Sequence, residues 1–157
     1  MGNVLYEFAP KFEVSFLIPI AMFFIVPIFF GVIRRTYSSR AIFVVCLLAF
    51  VFVVLTLVFS LSSYINTHNK TMDAYESGEY ETVEGYIEDY YCGRDGERFN
   101  IDGVEFSYND FRVQPGYNKT KAYGGVITGD GQHLKIGYVF VENYGNIIVY
   151  IEELPGE

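Results

Sequence analysis

Residues 14–33 read VSFLIPIAMFFIVPIFFGVI, and residues 41–59 read AIFVVCLLAFVFVVLTLVF. Neither run contains a charged residue, and each is close to the roughly 20 residues needed to cross a ~30 Å hydrocarbon core. A cleavable signal peptide has a basic start and a shorter apolar core, whereas residues 1–13 include two glutamates and one lysine. Both runs are therefore predicted to be transmembrane helices that stay in the protein, the second extending over residues 41–63.

The two runs are joined by seven residues, RRTYSSR at 34–40, which include Arg34, Arg35 and Arg40. So short a connection can only turn the chain back, which predicts an antiparallel transmembrane hairpin over residues 14–63. Each outer end of this hairpin is flanked by a single lysine. The positive-inside rule then makes the three arginines topology-determining, with the loop in the cytoplasm and both termini outside it.

Neither run carries an ionisable side chain. A proton relay or an ion pathway inside one hairpin therefore has no residues to work with. A pore built by several copies remains an open alternative, because a homo-oligomer could enclose a hydrophobic channel.

Composition changes sharply after the second run. Eleven of the 15 phenylalanines lie at or before Phe59, whereas 12 of the 14 tyrosines lie at or after Tyr64. Residues 64–157 carry 17 acidic and seven basic residues, a net charge of −10. Such a surface repels phosphate backbones and anionic lipid head groups, which argues against nucleic-acid binding. We therefore expect the protein to contact the lipid bilayer only through its predicted transmembrane spans.

The remaining chain is predicted to form an extracytoplasmic N-terminal segment (1–13), a connector (64–78) and an extracytoplasmic β domain (79–157). Short alternating runs and Gly-containing turns fill the last of these, including Asp102-Gly103, which favours a tight hairpin. Because a closed barrel leaves no exposed strand edge in so small a domain, the fold expected is a small all-β antiparallel barrel, OB-like or SH3-like.

Motifs for chemistry are missing from this sequence. It contains no nucleophile elbow, no phosphate-binding loop, no dinucleotide fingerprint, and no His or Cys pair at zinc-ligand spacing. We therefore expect neither an enzyme nor a protein that needs a metal or other cofactor. Cys46 and Cys92 lie in segments too different to pair; Cys92 is expected to be a small buried residue, and whether it is reactive stays open.

Several stretches of the C-terminal part follow a familiar order of glycines and aromatics. They are GEY at 78–80, VEGYI at 83–87, RFNI at 98–101, VEFSY at 104–108, GYN at 116–118, GGVI at 124–127 and GQHLKIGY at 131–138. Over residues 78–152 this resembles small bacterial inner-membrane proteins of uncharacterised activity that carry a C-terminal β-rich module. The resemblance implies a bacterial inner (plasma) membrane setting and brings no catalytic residues.

The leading hypothesis is a membrane-anchored, non-enzymatic binding module that presents its β domain to a protein partner or a membrane-complex subunit. Residues 111–123 are expected to form the contact surface through Phe111, Arg112, Tyr117 and Tyr123, because recognition concentrates in long loops with aromatic and Arg side chains. The alternative is a membrane-perturbing or pore-forming effector whose β domain senses a ligand.

Overall fold

The computed structural model describes residues 2–9, 28, 31, 32, 35, 40–112 and 114–156. The chain divides into two compact units. The β unit comprises Met1–Pro10 and Tyr64–Glu157, and the helical unit comprises Lys11–Ser63.

One long apolar helix is described, where the sequence predicts two. Most of the predicted first span, residues 14–33, lies outside the described residues, although Ile28, Gly31 and Val32 are helical. Of the three loop arginines, Arg34 also lies outside them. Arg35 is helical and exposed, and Arg40 is the first residue of the long helix. The structure therefore shows one helix of the expected hairpin.

This helix, α1, runs from Arg40 to Ser77 without interruption. No Gly or Pro lies within it, and Gly78 ends it in the left-handed conformation (φ 73°), with its N–H bonded to the carbonyl of Tyr75. α1 is long and apolar enough to cross a membrane. In the predicted connector at 64–78, the residues up to Ser77 continue the same helix.

The described residues contain seven β-strands, and every pairing between them is antiparallel. They are β1 (Asn3–Glu7), β2 (Glu81–Tyr86), β3 (Glu88–Gly93), β4 (Gly96–Ile101), β5 (Val104–Tyr108), β6 (His133–Val141) and β7 (Gly145–Glu153). Four strands form one sheet in the order β1-β7-β6-β2, and three form a second in the order β3-β4-β5.

Strand β1 comes from the opposite end of the chain to its neighbour β7. Asn3 pairs with Glu153, and Glu7 pairs with Tyr150. Directly after β1, the Phe8 N–H donates to the carbonyl of Val149 at 2.8 Å. The part of the predicted N-terminal segment up to Pro10 therefore belongs to the β unit.

The β unit buries two groups of side chains, one on each face of the four-stranded sheet. Between the two sheets lie residues such as Phe99, Phe106 and Ile136. On the other face, Phe8 and neighbouring valines pack with Tyr75 from the end of α1. The order of layers is therefore α1 end, four-stranded sheet, three-stranded sheet.

The prediction of a closed barrel is wrong, because the described strands form two separate sheets. The chain leaves the first sheet between β2 and β3 at Ile87, which is buried between the sheets. The edge strands of these two open sheets are protected by contacts with other parts of the chain. Asp130, for example, accepts a hydrogen bond from the Tyr90 N–H of edge strand β3 at 2.8 Å.

Candidate partner-binding loop

Residues 111–123, the binding loop, connect the second sheet to the return into the first. The loop starts on Asn109, whose side-chain oxygen accepts the Phe111 N–H at 2.7 Å and whose carbonyl accepts the Arg112 N–H. Its far end is tied to Asp110, which accepts hydrogen bonds from both the N–H and the hydroxyl of Thr120. One carboxylate therefore closes the loop at its base.

The last turn of the loop is a short 3-10 helix, Lys121–Tyr123. The Thr120 carbonyl accepts the N–H groups of Tyr123 and Gly125. A side chain at Gly125 would collide with the Lys119 carbonyl oxygen, so glycine is required for this close backbone approach. Gly124 is in the left-handed conformation (φ 80°), so both glycines serve the backbone conformation.

Two aromatic side chains of the loop face solvent as a pair. Phe111 is 77% exposed and Tyr123 is 60% exposed. Their ring centroids lie 6.1 Å apart with an interplanar angle of 87°, an edge-to-face arrangement. A pair of exposed aromatic rings in mutual contact is the kind of surface that anchors protein contacts.

Arg112 links the loop to the turn between β6 and β7. Its Nη2 donates to the carbonyl of Asn143 at 2.8 Å, and its guanidinium lies 5.2 Å from the centroid of the Tyr144 ring. The side chain remains exposed. It is therefore held in one position while its charge stays available to a partner.

Tyr117 differs from the other three predicted contact residues, because it is only 5% exposed. Its hydroxyl accepts the Val126 N–H at 2.7 Å, and its own N–H donates to the Ile148 carbonyl. Burial, the largest cause, raises the pKa of Tyr117 above its ordinary value. We assign Tyr117 to the support of the loop and not to its contact surface; Val113, also in the loop, lies outside the described residues.

Charge also distinguishes the loop from the rest of the acidic domain. Residues 111–129 contain Arg112, Lys119 and Lys121 and no acidic residue, whereas the remainder of 64–157 has four basic and 17 acidic residues. All three basic side chains are exposed. The Lys121 ammonium donates to the Thr128 carbonyl at 2.7 Å. The loop is thus a basic and aromatic patch within an acidic domain.

Sequence reasoning missed Glu97, which supports this patch from inside. The Glu97 side chain is buried, with 2% exposure. Its two oxygens accept the Lys121 N–H at 2.7 Å and the Tyr108 hydroxyl at 2.6 Å. Burial and, second, the bond to Glu97 raise the pKa of Tyr108 far above 10.0. The alternation of Glu97 with the core residues Phe99 and Ile101 is the signal that could have identified it.

Cys92 is exposed, so the expectation that it is buried is wrong. Partial desolvation and, second, the nearby Glu97 carboxylate raise the pKa of its thiol above the ordinary value. A raised pKa disfavours the thiolate, which is the reactive form. Among the described residues, no three His, Cys, Asp or Glu side chains converge in a way that could hold a metal ion.

Comparisons of this chain with protein-family models, with curated proteins and with solved structures give no match.

Proposed function

We propose that this protein is a membrane-anchored, non-enzymatic binding module that presents an acidic β domain outside the cytoplasm. It uses neither a metal nor another cofactor, and it docks a protein partner or a membrane-complex subunit through the binding loop. The observation that carries this proposal is the exposed, edge-to-face pair of Phe111 and Tyr123 on a loop whose two ends are hydrogen-bonded. Rigid aromatic anchors bind at a low cost in conformational entropy.

A two-span anchor is supported by the pairing of β1 with β7. β1 precedes the apolar part of the chain and β7 follows it, yet both belong to one sheet. If α1 crosses the membrane, an even number of crossings is needed to bring β1 and β7 to the same side. The uncharged residues 14–33 are long enough to supply the second crossing.

The orientation in this proposal follows from the loop at 34–40. Arg34, Arg35 and Arg40 favour its retention in the cytoplasm, which puts both termini outside. In a bacterium this is the inner (plasma) membrane, the setting that the resemblance of residues 78–152 implies.

Photo-crosslinking in native membranes tests the binding role. A photoreactive amino acid replaces Ala122, an exposed loop residue, in the full-length chain. We expect an adduct with a second protein, reduced at least fivefold when Phe111→Ser and Tyr123→Ser are combined. Tyr91→Ser is the matched control, because Tyr91 is an exposed aromatic (42%) on β3, outside the loop.

Two results would contradict the proposal. One is that no adduct forms at position 122. The other is that the adduct persists at the same level in the double variant, since the aromatic pair would then contribute nothing to the contact.

A further inference from the structure

Acidic side chains of the β domain are concentrated directly after α1, on β2 and at the start of β3. Residues 79–89, the acidic segment, contain five exposed carboxylates and no basic residue. They are Glu79, Glu81, Glu84, Glu88 and Asp89. The segment includes β2, which is an edge strand of the four-stranded sheet. Its charge is opposite to that of the binding loop.

From this complementarity we propose that the binding loop of one copy docks on the acidic segment of a second copy. The inference rests on the proposed function, because it names the partner of the same loop. Opposite charges on the two surfaces favour encounter and fix orientation, and the aromatic pair supplies the apolar contact.

The size of the binding loop favours a partner in the same membrane. It has 13 residues, whereas a standard interface uses about 20–30 residues on each side. Such a contact is weak between proteins that diffuse freely. Anchoring both copies on one side of one membrane raises their effective concentration, so that a weak contact becomes populated. Other copies of the chain necessarily share that membrane and that side.

The position of the acidic segment at a sheet edge also suits it to bind a second copy. Among the described residues, β2 has no strand paired along its outer edge. Its exposed charges oppose pairing with a further neutral strand. A basic loop relieves the repulsion between these carboxylates, whereas a neutral or acidic partner does not. Edge protection alone is the simpler role for the same charges, and the experiment separates the two.

Disulfide crosslinking between two tagged copies tests this inference. Both copies are full-length and carry Cys46→Ser and Cys92→Ser; one has Ala122→Cys in the loop, and the other has Thr82→Cys on β2. Both new positions are exposed and uncharged. After mild oxidation in membranes, we expect at least fivefold more crosslinked dimer than for Ala122→Cys paired with Ser107→Cys. Ser107 is exposed on β5, outside the acidic segment.

Charge reversal shows whether the contact is the proposed one. Lys119→Glu in the loop copy should lower the crosslinked fraction at least fivefold. Glu84→Lys in the other copy should then restore it to at least half. Crosslinking no higher than in the control pair overturns the inference, and so does a failure of Glu84→Lys to restore it.

The failure of this inference is distinguishable from failure of the proposed function. If the second-copy crosslink is absent while the photo-adduct at position 122 still depends on Phe111 and Tyr123, the loop binds a different protein. The binding role then stands and the second copy is excluded as its partner. If both signals are absent, the binding role fails as well.

Discussion

Glu97 connects the interior of the β unit to the binding loop. Its carboxylate accepts two hydrogen bonds, one from a core tyrosine and one from the backbone of the loop. Buried polar groups are costly unless they are paired, so each of these bonds matters for folding. A change at this residue should therefore affect both stability and presentation of the loop.

We predict that Glu97→Gln lowers the free energy of unfolding by about 1–3 kcal/mol, because one buried donor then faces an amide NH2 group. The measurement is denaturant unfolding of the full-length chain in detergent, followed by tyrosine fluorescence. Glu105→Gln is the matched control, because Glu105 is an exposed carboxylate on the neighbouring strand β5. Equal effects of the two substitutions would contradict the assigned role of Glu97.

At the scale of single residues, the sequence identified the exposed aromatic side chains of the loop but not the buried carboxylate that bonds to the loop backbone. Phe111 and Tyr123 stand out by residue type, and both are exposed. Glu97 does not stand out by residue type, because acidic residues are usually solvated. Tyr117 could not be separated from the other aromatics, since its burial depends on contacts distant in sequence.

At the scale of single elements, strand β1 was not predicted from the sequence. Its five residues were assigned to an N-terminal segment with no predicted strand, whereas the structure pairs them with the final strand. Local patterns carry no information about a partner so distant along the chain. By contrast, the Asp102-Gly103 hairpin was predicted from its two turn residues alone, and their φ values of 48° and 78° confirm it.

We predict that Phe8→Ala lowers the free energy of unfolding of the β unit by about 3–5 kcal/mol, because it leaves a cavity beneath α1. Phe8 is 6% exposed and packs against the rings of His68 and Tyr75. The control is Val4→Ala on the exposed side of β1, where surface substitutions change stability by about 0.5 kcal/mol or less. Detergent-phase unfolding of the full chain measures both; a small effect of Phe8→Ala would show that β1 is not needed for the fold.

The division of the strands between two sheets could not be predicted from local sequence patterns either. The chain changes sheets at Ile87, which separates β2 from β3. The end of α1 covers one face of the four-stranded sheet, and no turn signal encodes that packing.

At the scale of the whole molecule, the β unit is assembled from both ends of the chain, with the apolar segment between them. Strand pairing therefore constrains membrane topology as well as fold. If α1 crosses the membrane, residues 3–7 and residues 145–153 lie on the same side of it, because both belong to the four-stranded sheet. Composition predicts the membrane spans, whereas the pairing of β1 with β7 is seen only in the sheet.

Accessibility labelling with a membrane-impermeant maleimide tests this topology most directly. In a Cys46→Ser, Cys92→Ser background, single cysteines replace Asn3, Ser38 and Ser107 in turn. In intact cells we expect labelling at positions 3 and 107, and at position 38 only after permeabilisation. Labelling of positions 3 and 107 from opposite sides, or labelling of position 38 in intact cells, would contradict the account.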